Sequence, residues 1–288
     1  MIARALAQFH SMRNRRVVTS IALHIVLLFG ALISLFPFYW MFIGATKVTS
    51  EIFRVPPSFL PSEHLVANVT RLVERLTFTR VVWNSLAIAV VYSVLTVFLC
   101  SLAGYAFAKY RFKGRNVMFA LILLTLMVPY QATLIPLFRL MTTVLGWGST
   151  YRAVILPTTA NVFGIFLMRQ NMLSVPDSLI ESGRIDGAGE FDIFARIVLP
   201  TMTPALSALT IYMFMFQWNN FMWPLIILSR DSMKTIPVAL SGMVADGQVI
   251  EYGVVLAGTS IATIPIIVMF LFLQRQFISG ILGGAVKG

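Results

Sequence analysis

Six runs of about twenty apolar residues, free of Asp, Glu, Lys and Arg, constrain this chain more than any other feature. They cover roughly residues 17–45, 82–108, 117–138, 153–168, 201–229 and 254–273. A run of that length matches the ~30 Å hydrocarbon core of a bilayer when it is helical, the fourth lying near the short limit. Inside lipid the backbone must satisfy its own N–H and C=O groups, which an isolated apolar segment does as an α-helix. The composition agrees: 58% hydrophobic and 11% charged residues, where soluble domains carry about a quarter charged. The expected fold class is an all-α polytopic membrane protein of about six transmembrane helices. The first run ends in Phe36-Pro37-Phe38-Tyr39-Trp40, with no small-residue cleavage site, and is too long for a secretory leader.

The positions of the charges give the topology. Arg4, Arg13, Arg15 and Arg16 precede the first run, and Lys109, Arg111, Lys113 and Arg115 fill the short loop after the second. Excess Lys and Arg in short loops marks the cytoplasmic side. Both clusters fall on one side of a six-span arrangement, which puts both termini in the cytoplasm. The net charge of +11 is then a topology signal and not a nucleic-acid surface. The segment from 46 to 80 lies outside, with Glu51, Glu63 and Glu74 among its five basic residues. Pro56-Pro57 and Pro61 punctuate it, and it is expected to form an irregular cap.

Segment 174–200 lies on the cytoplasmic side and holds Asp177, Glu181, Asp186, Glu190 and Asp192, five of the eleven acidic residues. It reads as two short amphipathic helices joined at Gly187. Ser178 followed by Glu181 forms a capping-box pattern for the first. Asp186-Gly187 supplies its stop, because Gly enters the left-handed region at little cost. Phe191, Phe194 and Ala195 share a face of the second, which Pro200 helps to end. A water-facing helical hairpin with an apolar stripe is a docking surface.

Enzymatic chemistry finds no support. The chain lacks a Gly-Lys dipeptide and so a Walker A phosphate loop. His10, His24 and His64 match no metal spacing, and the lone Cys100 offers neither a disulfide nor a thiolate site. Gly258-Thr259-Ser260-Ile261 loosely resembles an intramembrane serine protease, but no His follows to act as base. Small residues at 258, 260 and 262 suit close helix packing. Ion-coupled carriers usually hold Asp, Glu, Lys or Arg inside the bilayer, and His24 is the one such ionisable group here. A Na⁺ site of carbonyls and hydroxyls keeps the ion-coupled alternative open. In the fifth run Gln217, Asn220, Phe221 and Pro224 fall at helical spacing on one face. On a continuous helix Pro224 would leave the Asn220 carbonyl free. Amides beside a ring suit a sugar, and interhelical glue is the other reading. Asn219 points away, toward an adjacent helix.

Glu181-Ser182-Gly183, Asp186-Gly187-Ala188 and Ile197-Val198-Leu199-Pro200 resemble the EAA loop of binding-protein-dependent ABC importer permeases. Ser182 and Gly183 stand where that family usually has alanines, which lowers the helix propensity of the first arm. Trp218-Asn219-Asn220-Phe221 with Pro224-Leu225 resembles the fifth span of carbohydrate permeases of the maltose type. Gln274-Arg275-Gln276-Phe277-Ile278 through Gly288 resembles their C-terminus, and Pro37-Phe38-Tyr39-Trp40 with Pro56-Pro57 their first span and cap. The resemblance covers nearly the whole chain and is to the smaller permease of the pair.

The resemblance implies a type I ABC importer permease in a prokaryotic cytoplasmic (inner) membrane. Residues 1–16 form an N-terminal tail, 17–273 a six-span permease domain and 274–288 a C-terminal tail. Its partners are a second permease subunit, an ATPase dimer, an extracytoplasmic sugar-binding protein and the lipid bilayer, with no nucleic acid. The chain itself binds no cofactor or metal and catalyses nothing, ATP and Mg²⁺ belonging to the ATPase. Glu181, Ser182, Gly183, Asp186, Gly187, Ala188, Phe191 and Phe194 would couple it to that ATPase, although Glu181 also reads as a cap of its own helix. Gln217, Asn220 and Phe221 are the candidate substrate path. Di- and oligosaccharides are the expected cargo, with glycerol phosphate-type solutes as the alternative within the family. The tail with Gly280, Gly283 and Gly284 is either frayed or reaches between ATPase subunits. The outer loop from 230 to 252, with Asp246, Gly247 and Glu251, is either a binding-protein contact or a solvated connector.

Overall fold

The computed structural model describes residues 2–245 and 249–285, with side chains at 19–245, 249–272 and 274. Asp246, Gly247 and the last three residues lie outside it, as do the side chains of 275–285, and with them the expected roles of the outer-loop acids and of the C-terminal tail. Among the described residues every regular element is a helix, and there is no strand. The chain divides into two compact units, residues 1–72 with 249–260 and residues 73–248 with 261–288.

In the first unit α1 (Ile2–Gly44) runs through Pro37 and well ahead of the expected start at 17. Its membrane-length part is Thr19–Gly44, and from Ile21 to Phe36 its apolar side chains face outward. α2 (Thr49–Ile52) and α3 (Leu65–Leu76) follow, so the segment expected to be an irregular cap contains a three-turn helix. Lys47, one of the five basic residues of the outer segment, is buried at 2% exposure. Its Nζ donates to the Ser58 carbonyl and lies 5.9 Å from the Trp40 ring centroid. Asn68 Nδ2 closes the turn above it by donating to the Ala45 and Lys47 carbonyls, each at 2.9 Å. An apolar stem with one paired ammonium is a form in which lysine can be buried.

In the second unit α4 (Phe78–Lys109) is the central helix and packs along both α8 and α12. Tyr92, Cys100, Met168, Leu209 and Met213 are completely enclosed among these three helices. Three of the six expected spans are bent or interrupted. The third is α5 (Arg115–Leu124) with a 3₁₀ turn to Met127, then α6 (Tyr130–Arg139) with a π turn to Val144, bent by 98°. Pro129 forces the break, since proline pushes its predecessor out of the helical region and Val128 is extended. The fourth is α7 (Tyr151–Ile155) with a turn to Thr158, then α8 (Val162–Met172), bent by 44°. Asn161 starts the new helix there, its side chain accepting from the Gly164 N–H at 3.0 Å.

α9 (Asp177–Ile185) and α10 (Glu190–Asp192) open the hairpin. α10 continues through a π turn, Ile193–Val198, into α11 (Leu199–Thr201), so Pro200 lies within the last turn and the chain bends 86° at Met202. α12 (Thr203–Trp218) and α13 (Met222–Ile227) replace the single fifth span. α14 (Ile236–Ala245) and α15 (Tyr252–Ala285) complete the chain. α15 carries the backbone as helix past Gly280, Gly283 and Gly284, where a flexible tail was expected. By length and composition three described helices can cross a membrane, or six if each bent pair is one span.

Candidate functional site

The acidic segment folds as the expected hairpin with a different first cap. Pro176, extended at φ −62° and ψ 134°, precedes α9 without any side-chain cap, and Ser178 lies inside the first turn. The capping-box reading is therefore wrong: proline presets the backbone, and Asp177 puts its charge at the helix N-terminus, where the dipole favours it. Asp177 also accepts from Lys109 Nζ at 2.7 Å, which holds its carboxyl below the usual carboxylate range. The stop is as expected. Ala188 N–H donates to the Gly183 carbonyl at 3.0 Å and Gly187 N–H to that of Arg184 at 3.1 Å, with Gly187 at φ +82°. These bonds form a Schellman motif with Asp186 as C-cap.

Gly183 is buried where the two arms meet, and a Cβ there would come within 2.7 Å of the Ile197 terminal methyl. The departure from alanine thus has a packing reason. Glu181, Ser182, Asp186 and Phe191 are exposed, Ala188 half-buried. Phe194 corrects the expectation of a shared docking face. It is 2% exposed and its ring lies 5.4 Å from Tyr105 of α4, whereas Phe191 is 62% and Ile185 85% exposed. The π turn beginning at Ile193 carries Phe194 inward, so the free apolar surface is Ile185 with Phe191. Sequence reasoning missed Ile185 because a single apolar residue beside the helix stop shows no periodicity.

Glu190 ties the arms together. Its carboxylate accepts from Arg184 Nε at 2.7 Å and Nη2 at 3.2 Å, and from the Tyr110 hydroxyl at 2.5 Å. Arg184 chiefly, and then Tyr110, hold Glu190 below the usual carboxylate range. Burial, and then the bond to Glu190, push Tyr110 up to about 12. Acceptor and donor therefore keep their roles across the neutral range.

At the fifth span α12 ends at Trp218, with Asn219 as its C-cap and Phe221 preceding α13. Gln217, Asn220, Phe221 and Pro224 consequently do not lie on one continuous helix face. The break places Pro224 in the first turn of α13, where no N–H is needed, so the free Asn220 carbonyl inferred for a continuous helix no longer follows. Gln217 is 4% exposed; its Oε1 accepts from Asn220 Nδ2 at 3.3 Å, and its Nε2 has no hydrogen-bond partner. Phe221 is half-buried beside them. Asn219 is exposed and bonds to the Met215 carbonyl of its own helix at 2.9 Å, not to a neighbouring helix. Trp218 Nε1 reaches the Ala262 carbonyl at 3.0 Å and Trp223 Nε1 that of Ala153 at 2.9 Å, which fixes both sides of the break. His24 is exposed and bonds to the Ser20 carbonyl. Among the described residues no three His, Cys, Asp or Glu side chains gather as a metal set.

Residues 100–282, which contain both the hairpin and the broken helix, match the family described as binding-protein-dependent transport system inner membrane component. The chain belongs to that family. The permease is 40% identical over 269 residues to the lactose transport system permease protein of Rhizobium radiobacter, covering 93% of this chain and 97% of that protein. It is 38% identical over 275 residues to the arabinooligosaccharides transport system permease protein of Bacillus subtilis, covering 94% and 97%. It is 32% identical over 279 residues to the sn-glycerol-3-phosphate transport system permease protein of Brucella abortus, covering 94% and 98%. Its fold matches a chain in the crystal structure of a bacterial ABC transporter that imports the acidic polysaccharide alginate. The TM-score is 0.79 at 24% identity, over 90% of the permease and 96% of that chain. A second match, TM-score 0.62 at 16% identity, is to that type of transporter in complex with an alginate pentasaccharide-bound periplasmic protein. The permease fold is that of an ABC importer.

Proposed function

We propose that this permease forms half of the pathway for a di- or oligosaccharide delivered by an extracytoplasmic binding protein. A second permease supplies the other half, and an ATPase dimer docks on the hairpin. The observation that carries the reading is the hairpin itself, turned at Gly187 and presenting Glu181, Ile185 and Phe191 outward on a chain of this family. Ile185 and Phe191 suit an apolar cleft on the ATPase, and Glu181 a basic group beside it. ATP and Mg²⁺ act on that partner, and this chain is non-catalytic. Both termini and the hairpin face the cytoplasm across the inner membrane, as the basic clusters require. Greater identity to the lactose and arabinooligosaccharide permeases than to the glycerol phosphate one favours a saccharide.

Reconstitution with the second permease, the ATPase and the binding protein tests the reading. Uptake should follow internal ATP and persist when proton and Na⁺ gradients are collapsed, and Glu181→Lys should weaken ATPase co-purification. Uptake that stops with an ionophore at constant ATP would show an ion-coupled carrier instead.

A further inference from the structure

The hairpin is joined covalently to α8 at one end and to α12 at the other. Both joints interrupt the helix: the turn at residues 173–175 that leads to extended Pro176, and the 86° bend at Met202. A push on the tip would be spent in those joints unless something braced the arms. α4 does not adjoin the hairpin in the chain, yet its end grips both arms through two consecutive residues. Lys109, its side chain 8% exposed, donates to the Val175 carbonyl at 2.5 Å and to Asp177 Oδ1 at 2.7 Å on the first arm. Tyr110 donates to Glu190 on the second arm, and the same carboxylate takes the Arg184 fork from the first. Phe194 lies against Tyr105 one turn deeper.

We propose that Glu190 is a positioning residue for energy coupling, locking the hairpin arms to each other and to Tyr110 so that ATPase motion passes into α4. The proposal rests on the hairpin being the ATPase contact. Arg184 and Glu190 are about half exposed, and such a pair adds little stability. Its effect is geometric, since a bidentate fork with a third donor fixes the orientation of one carboxylate. α4 is the helix best placed to receive the motion, because it packs along both α8 and α12.

The test uses the assembled importer with Cys100 replaced by Ala and spin labels at Val94→Cys on α4 and Arg196→Cys on the second arm, both exposed positions. In the otherwise native protein the label distance should be the same in the resting and ADP–vanadate-trapped states. In Tyr110→Phe and in Glu190→Ala it should shift or broaden between the states. Sugar carried per ATP should fall about fivefold, the lower end of ordinary coupling effects, while the ATPase still co-purifies. Glu190→Gln, which keeps an acceptor for the phenol, should restore the fixed distance. A distance that changes equally in all the proteins, or in none, overturns the proposal. So does loss of the ATPase from either variant, which would make Glu190 a docking contact. Glu181→Lys run alongside reports separately on the docking surface, so a failure there is distinguishable from a failure of the brace.

Discussion

Gly187 has φ +82°, and nothing lies within 4 Å of where its Cβ would stand. Space therefore does not restrict this position; the backbone does. A left-handed conformation costs an L-residue roughly 1–2 kcal/mol, least for Asn and most for β-branched side chains. Gly187→Asn should keep the hairpin and ATPase co-purification near native levels. Gly187→Val should lose co-purification while inserting normally in the membrane. Equal behaviour of the two variants would mean that the turn does not aim the second arm. This residue was legible in the sequence because an Asp-Gly pair at the end of a polar helix has few other uses. Lys47 was not. Its charge suggested water, and only the chain folding back to Ser58 supplies the carbonyl that pairs it.

The elements were legible in number more than in continuity. Each apolar run appears as helix, but hydropathy cannot tell a straight span from a bent one. Pro129, Asn161 and Pro224 were present in the runs as local breakers, and the length criterion outvoted them. The consequence is largest in the fifth span, where the candidate path residues straddle the gap between α12 and α13 instead of sharing a face. Buried Gln217, bonded to Asn220 through its oxygen with both N–H donors left over, is the group there with capacity to bind a hydroxyl. Cys at 220 should react with a water-soluble thiol reagent in the assembled importer, and sugar delivery should change the rate. Cys at 217, buried behind it, should react more slowly. If 220 is inert under turnover, the break faces no pathway and the amides serve packing.

At the scale of the whole molecule the family was legible from motifs spread along the chain, whereas the packing that sets its mechanics was not. In the second unit α4 and α8 cross without room for a methyl group. A Cβ on Gly104 would lie 2.6 Å from Met168 Cβ and 2.8 Å from the Arg169 backbone nitrogen, and one on Gly164 would lie 2.7 Å from Cys100 Sγ. Gly104→Ala and Gly164→Ala should each destabilise the protein by about 1–3 kcal/mol, as overpacked cores do, read as a lower melting temperature in detergent. Gly242→Ala, with open space around it, should not. A seam so close admits neither sliding nor rolling, because either movement drives backbone into side chain. Compliance is then left to the places where the helices are already interrupted: the two ends of the hairpin, at residues 173–176 and 202, and within the spans residues 128–129, 159–161 and 219–221. The spans of the second unit are in this sense stiff rods with three flexures of their own, and the proline or asparagine at each decides where it bends.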